Sequence, residues 1–214
     1  MKLKNIFKKK QSKGLKVLVL FLELSAIALV LYLIALPFYP NVKYQVSYEE
    51  YSQLPEAEER VIIQEQVAEF KSSLPENKFD VSPNRVIIPK IGVNAPIVVT
   101  DNADYGLSQG AWLVPDTSTP DKGGNTVITG HRFKYLPPHN LTFYLFHKLE
   151  AGDLVSIIWK ERDYLYRIKE VQIVDATEVS ILEPTDEPTL TMFTCHPIYS
   201  TEERLVVISE LVEE

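Results

Sequence analysis

The sequence has only one cysteine and four histidines among its 214 residues. A single cysteine excludes an internal disulfide, and outside the cytoplasm an unpaired thiol is either reactive or buried. Cys195 and His196 are adjacent, but no C-x-x-C or H-x-x-x-H spacing accompanies them, which argues against a metal centre. We therefore expect no metal and no other cofactor. Cys195 is the first candidate for chemistry, and an inert core cysteine is the simplest alternative.

The chain is also short of positive charge, with a net charge of −7 and a pI near 5.2. A nucleic-acid-binding protein needs a basic face, so a nucleic-acid partner is excluded. Phosphate-binding glycine loops, internal repeats and low-complexity tracts are missing as well. The length is enough for one well-buried domain with extensions.

Positive charge is concentrated at the N-terminus, where seven lysines lie within residues 1–16. The apolar run 17–36 that follows is long enough to cross a bilayer. Lysines stay on the cytoplasmic side, so we expect a basic cytoplasmic tail (1–16), a transmembrane helix (17–36) and everything after it outside the cell membrane. No small-x-small cleavage site follows the run, which favours an uncleaved anchor over a signal peptide.

Residues 37–80 form an acidic, partly helical linker outside the membrane. Apolar residues recur within it at helical spacing, and a proline then ends the run: Ile63, Val67, Phe70, Leu74 and Pro75. This pattern predicts one amphipathic helix. Its apolar stripe would pack on the following domain or on a neighbouring copy of the chain. Alternatively, the helix is a solvated stalk, and the sequence does not decide between packing and a stalk.

From residue 81 onward the sequence changes to short β-rich runs separated by turn signals. The candidate strands are Arg85–Ile88, 96–99, Asn125–Thr129, 155–159, 164–174, 190–194 and 204–211. Many short strands with little helix predict a mainly β domain built as a closed or nearly closed barrel.

The thiol lies at the end of one of these strands. Pro197 stops the strand that carries Cys195, and Arg204 opens the next. If the two strands pair antiparallel, the thiol and the guanidinium share one end of the sheet. A fixed positive charge favours the nucleophilic thiolate.

A third candidate is His131, which follows the strand Asn125–Thr129 and Gly130. Histidine in this setting suits general acid–base work beside a thiol. Its neighbour Arg132, and His196 beside the cysteine, are interpreted as supporting or structural residues.

These segments resemble the sortases, membrane-anchored cysteine transpeptidases. Residues 191–195 are similar to the family's TLxTC motif, with methionine in place of leucine, residues 129–131 resemble its histidine motif, and Arg204 falls on its arginine. Further similar segments are 88–93, 123–125 and 149–153, so the resemblance covers about 84–212. It implies an eight-stranded sortase-type β-barrel with short helices, one of them near 143–147, and a catalytic domain over 81–214.

The resemblance also implies an activity. Cys195, His131 and Arg204 would be catalytic, with Thr194 and Thr191 binding substrate. The chain would cleave a C-terminal sorting signal of LPxTG or LAxTG type through a Cys195 thioester and pass the acyl group to an amine of a cell-wall precursor or a pilin lysine. A cysteine hydrolase of the same fold and a non-catalytic surface barrel remain alternatives.

The subclass is indicated by spacing. The nine-residue step from Cys195 to Arg204 resembles class E sortases more than class A or B. An inhibitory lid of the pilus-building kind would carry an Asp-Pro-aromatic motif, and none occurs between residues 41 and 84. Pilus polymerisation of that type is therefore the less expected role.

Overall fold

The computed structural model describes residues 13–47, 54–73, 84–132 and 143–213. Its helices of two turns or more are α1 (Lys13–Ala35), α2 (Tyr39–Ser47), α3 (Glu56–Ser73) and α4 (Ala103–Gln109). The predicted tail up to residue 12, the predicted helix end at Leu74 and Pro75, and the segment 133–142 lie outside the described residues.

Helix α1 begins at Lys13 and continues through the predicted membrane segment, with a mean hydropathy of 2.7. Its length and composition suit a membrane span, although a signal sequence shares these features. Residues Met1–Tyr39 and Pro40–Glu214 form two separate compact units, and α1 belongs to the first.

The second unit contains eight strands within its described residues. They are β1 (Arg85–Ile88), β2 (Val93–Val99), β3 (Ala111–Leu113), β4 (Asn125–Thr129), β5 (Leu154–Trp159), β6 (Arg162–Asp175), β7 (Thr189–His196) and β8 (Glu203–Glu213). Each of the seven candidate strands is present, and β3, only three residues long, is the one that the sequence pattern did not reveal. The predicted mainly β, eight-stranded barrel is confirmed.

The strands close into a barrel in the order β1-β2-β3-β4-β7-β8-β6-β5. Neighbouring strands are antiparallel except for β2 with β3 and β4 with β7, which are parallel. Parallel neighbours need a crossover connection. Helix α4 lies in the first crossover, and the hairpin β5–β6 lies in the second. Since closure leaves no open sheet edge, the backbone of every strand has neighbours on both sides.

The core fills the inside of the barrel, because alternate residues of each strand point inward. Strand β2 shows this alternation, with Val93, Ala95 and Ile97 buried between partly exposed residues. Aromatic side chains complete the interior, and those that are fully buried include Phe143, Phe146, Tyr164 and Tyr166.

Helix α3 packs on the outside of the barrel, so its stripe is not that of a solvated stalk. The packed side chains are Ile63 and Val67 of α3 with Ile87, Leu154 and Ile158 of the barrel. Ion pairs tie the helix at both ends: Glu56 with Arg167 and Lys71 with Asp163. Apolar burial dominates this attachment, because partly exposed ion pairs contribute little.

Helix α2 also reaches the barrel. The ring of Tyr44 is buried and belongs to the main core cluster. The Lys148 ammonium lies 4.9 Å from the centre of that ring, a cation–π contact. Helix α2 therefore contributes to the folded domain through Tyr44.

A buried charged group lies where α3 meets the barrel. The Glu59 side chain accepts a hydrogen bond from the Leu154 backbone N–H at 3.3 Å, and Lys90 binds both oxygens of nearby Asp153 at 2.9 Å. Burial raises the pKa of Glu59 to about 6, with a smaller contribution from the charge of Asp153. The hydrogen bond from Leu154 and the charge of Lys90 lower this pKa but do not cancel the effect of burial. At neutral pH this carboxylate is therefore charged in an unfavourable setting.

We predict that Glu59→Gln stabilises the protein at neutral pH. The pKa of Glu59 is about 6 in the folded chain against 4.5 as its ordinary value, so the native state binds the extra proton. The free energy of unfolding should therefore rise as the pH falls from 7 towards 4.5. The variant should gain on the order of 1 kcal/mol at pH 7 and lose this advantage in acid.

Denaturant unfolding of the full chain in detergent, followed across this pH range, tests the prediction. Glu58→Gln is the matched control, because Glu58 is an exposed glutamate on the same helix. A Glu59→Gln chain no more stable than wild type at pH 7 would contradict it.

Candidate active site

Cys195 and Arg204 lie side by side at one end of the barrel. Strands β7 and β8 are antiparallel, as predicted, and Cys195 is the direct cross-strand partner of Arg204. Directly opposed residues of an antiparallel pair project to the same face of the sheet. Cys195 is a free cysteine of intermediate burial, so its thiol lies close to the surface.

His131 approaches the same place from the other side of β7. Strand β4 runs parallel to β7, and the last paired residues are Thr129 and Phe193. The residues on either side of His131 bond to the β7 end, because Thr194 donates to the Gly130 carbonyl and Arg132 donates to the Cys195 carbonyl. The Thr129 hydroxyl reinforces the junction by donating to the Phe193 carbonyl at 2.9 Å. Three strand ends thus converge, one for each predicted catalytic residue.

Gly130 is needed for close packing behind His131. A Cβ atom at this position would lie 3.0 Å from two ring carbons of Phe143, tighter than ordinary contact. The Phe143 ring stacks on the Phe146 ring with centroids 4.1 Å apart. The backbone N–H of Phe143 donates to the His131 carbonyl at 2.7 Å. The glycine therefore lets the core pack directly against the backbone that carries the histidine.

Thr194 and Thr191 are buried and have hydrogen-bond partners inside the barrel. The Thr194 hydroxyl donates to the Gly130 carbonyl at 2.8 Å, and the Thr191 hydroxyl donates to Asn125 Oδ1 at 2.8 Å. Both bonds join β7 to the β4 segment. In this arrangement the hydroxyls hold the site together, and substrate binding by these two side chains stays a prediction.

Asn125 extends this junction to the connection between β6 and β7. Its amide nitrogen donates to the carbonyls of Ile181 and Glu183 at 3.0 and 2.9 Å. One buried side chain thus links two strands and the loop beside them. The contacts join residues more than fifty positions apart, so no local pattern revealed this role.

The Arg204 guanidinium is held by backbone carbonyls at and just before the start of β8. Its Nη1 donates to the carbonyls of Thr201 and Glu203, both at 2.9 Å. These bonds use one nitrogen of the fork and leave the donors of Nη2 and Nε for other acceptors. Arg204 is accordingly placed to offer hydrogen bonds to an oxygen near Cys195.

Arg132 occupies the interior of the site. It is only 3% exposed, and Nη1 donates to the Cys195 carbonyl at 3.2 Å. His196 Nδ1 and His147 Nδ1 lie 3.4 and 3.2 Å from its Nη1 and Nη2. Burial, followed by the charges of Arg132 and Lys148, holds the pKa of His147 below its usual range. The supporting place predicted for Arg132 and His196 agrees with these contacts.

Tyr144 connects the site to distant segments, which the sequence did not reveal. Burial raises the pKa of the Tyr144 phenol, and a hydrogen bond with Tyr199 raises it further. A hydrogen bond with Asn41 lowers the same pKa. Tyr199 belongs to the loop between Cys195 and Arg204, and Asn41 belongs to α2. Helix α2 is thereby linked to the loop between Cys195 and Arg204.

The described residues contain no group of three or more His, Cys, Asp and Glu side chains placed to hold a metal ion. The predicted catalytic side chains at this end of the barrel are a thiol, an imidazole and a guanidinium. Such a set suits covalent acyl transfer.

Comparison with known proteins identifies the domain. Residues 86–212, more than half of the chain, match the family model described as the sortase domain. The chain is similar to Sortase D of Bacillus subtilis, with 32% identity over 111 residues that make up 51% of this chain and 52% of that protein. It is similar to Sortase SrtE1 of Streptomyces coelicolor, with 28% identity over 142 residues, 59% of this chain and 39% of that protein.

A solved structure shows the same barrel. The crystal structure of sortase A from Listeria monocytogenes aligns with a TM-score of 0.55 and 26% identity, covering 63% of this chain and 89% of that one. The chain spans about half the length, or less, of the two curated relatives named above. The match to the family model, in a barrel of this topology, shows that the chain belongs to the sortase family.

Proposed function

We propose that this chain is a cysteine transpeptidase that acts outside the cytoplasmic membrane. The observation that carries the proposal is the register of the strands: Cys195 faces Arg204 across β7 and β8, while β4 runs parallel to β7 on its other side and ends two residues before His131. A non-catalytic barrel would need this convergence to be accidental.

The reaction runs in two halves. The Cys195 thiolate attacks the carbonyl carbon of a substrate peptide bond, and the C–N bond breaks as His131 gives a proton to the departing amine, which leaves a thioester. A second amine then attacks the thioester and loses a proton to His131. The C–S bond breaks, and the thiolate returns.

Arg204 serves the carbonyl oxygen in both halves. Negative charge develops on this oxygen as each tetrahedral intermediate forms, and a preorganised donor is worth most there. Arginine suits the role because its planar fork donates hydrogen bonds and keeps its charge at working pH.

The substrate is inferred from family membership. We propose a C-terminal sorting signal of LPxTG or LAxTG type as acyl donor, and an amine of a cell-wall precursor or a pilin lysine as acceptor. The chain is similar to Sortase D, Sortase SrtE1 and Sortase A alike, so the predicted class E subclass rests on the nine-residue step from Cys195 to Arg204. Helix α1 would hold the enzyme in the membrane with its lysine-rich end in the cytoplasm.

We predict that Cys195→Ala abolishes the acyl-enzyme. The substitution removes the only sulfur nucleophile and little volume, so the fold should persist. Mass spectrometry of the full chain in detergent, incubated with a panel of sorting-signal peptides, should show an adduct on wild type and none on the variant. An adduct on the variant would reject Cys195 as nucleophile.

Arg204→Ala should slow thioester formation by roughly a hundredfold, the scale of losing one oxyanion donor. Arg204→Lys should recover little, because an ammonium does not reproduce the fork. Arg162→Ala is the matched control. Arg162 is an exposed arginine at the first residue of β6, whereas Arg204 pairs with Val174 near the last residue of that strand. The Arg162 substitution should change the rate by no more than roughly twofold. Equal losses in the Arg204 and Arg162 variants would remove Arg204 from the mechanism.

Product analysis in the same assay separates transfer from hydrolysis. With a saturating amine, wild type should give mainly the joined peptide. If the free acid dominates across a broad panel of amines, the chain is a hydrolase of the sortase fold.

The single cysteine also reports the membrane orientation. A membrane-impermeant maleimide added to intact cells should label Cys195, because the barrel is expected outside. In a Cys195→Ala background, Lys9→Cys should be labelled only after lysis. The reverse pattern would overturn the orientation.

A further inference from the structure

The guanidinium of Arg132 joins segments that are far apart in the chain. Besides its contact with the Cys195 carbonyl, its Nε donates to the Tyr144 carbonyl at 3.2 Å. The remaining acceptors are the two Nδ1 atoms of His147 and His196. A planar fork with donors in fixed directions can hold several acceptors at set positions.

This cation is buried without a carboxylate. Among the described residues Arg132 forms no ion pair, and neutral acceptors alone surround its donors. Burial lowers the pKa of the guanidinium, but arginine keeps its charge in proteins. Burying a charge that has no ionic partner costs free energy, which hydrogen bonds offset only in part. The position of the guanidinium beside the nucleophile therefore calls for a role in the site.

The main chain at Cys195 lacks ladder support from β4. The paired register of β4 and β7 ends at Thr129 and Phe193, two residues before the nucleophile. Beyond that point there is one long backbone bond, from the Gly130 N–H to the Phe193 carbonyl at 3.4 Å. Side chains then continue the connection: the Thr194 hydroxyl to the Gly130 carbonyl, and Arg132 to the Cys195 carbonyl. Because Arg132 follows His131 directly, the bond from Arg132 ties the histidine segment to the nucleophile segment.

We propose that Arg132 is a positioning residue of this active site, which sets the separation of Cys195 and His131 by holding the Cys195 carbonyl against the His131 segment. The inference rests on the proposed transpeptidase function. It predicts a defect in attack on a peptide carbonyl, where geometry matters, and little defect in reaction with a small electrophile.

Two measurements on the full chain in detergent test this role. The first is the single-turnover rate of acyl-enzyme formation with a sorting-signal peptide, measured over a range of peptide concentrations. The second is the rate of Cys195 alkylation by iodoacetamide, which needs a reactive thiol but no aligned histidine. Thermal unfolding of each variant is recorded alongside.

Arg132→Met should reduce the limiting acylation rate by roughly a hundredfold, the scale of a small misplacement of reacting groups, with little change in the half-saturating peptide concentration. Alkylation should change by less than about threefold, which is under 1 kcal/mol. Arg132→Lys should recover part of the rate, because an ammonium can bind one of the two carbonyls, Tyr144 or Cys195, but does not hold both in fixed positions.

Arg85→Met is the matched control. Arg85 is also a partly buried arginine, bonded to the Asn94 side chain and carbonyl and stacked on Phe70, but it lies on β1 away from the site. Its loss should affect unfolding and leave acylation unchanged.

Parallel loss of acylation and alkylation, full activity in Arg132→Lys, or an equal acylation defect in Arg85→Met would each overturn the positioning role. If Arg132→Met does not fold, Arg132→Lys decides between the outcomes. A wild type that forms no acyl-enzyme would instead overturn the proposed function and this inference with it. A defect confined to acylation in the Arg132 variants supports the inference.

Discussion

The parallel pairing of β4 with β7 is the constraint on which the site depends. It brings the end of β4 beside the end of β7, and β8 then lies against β7 on its other side. The strand of Cys195 is thereby flanked by the strand that contains Arg204 and by the strand that leads to His131. Parallel neighbours require a long crossover, and here the crossover contains the hairpin of β5 and β6. The closed barrel consequently holds these three segments together.

Polar groups at this junction are buried but paired. Asn125, Thr129, Thr191 and Thr194 are almost fully inaccessible, and their side chains bond across the junction. A buried polar group costs free energy unless it is hydrogen-bonded, and once bonded it favours one register over its neighbours. Since a slip by one residue would turn every side chain to the opposite face, these bonds protect the alignment of Cys195 with His131.

The segments before the barrel belong to its structure. Helix α3 covers one outer face through apolar packing, and α2 places Tyr44 in the core. Through Asn41 and Tyr144, α2 is also connected to the loop that carries Tyr199. Helices α2 and α3 therefore contribute to the stability of the barrel, and α2 also contributes to the surroundings of the site.

The sequence by itself determined the apolar helix, most of the strands and the three residues at the site, because these follow from local composition, alternation and short motifs. The tertiary structure alone decided the pairing of β4 with β7, the short β3, the docking of α3, and the partners of Arg132 and Tyr144. Such contacts join residues far apart, such as Arg132 and Cys195, which are 63 positions apart. Local patterns carry no information about which distant groups meet, since that depends on how the whole barrel closes.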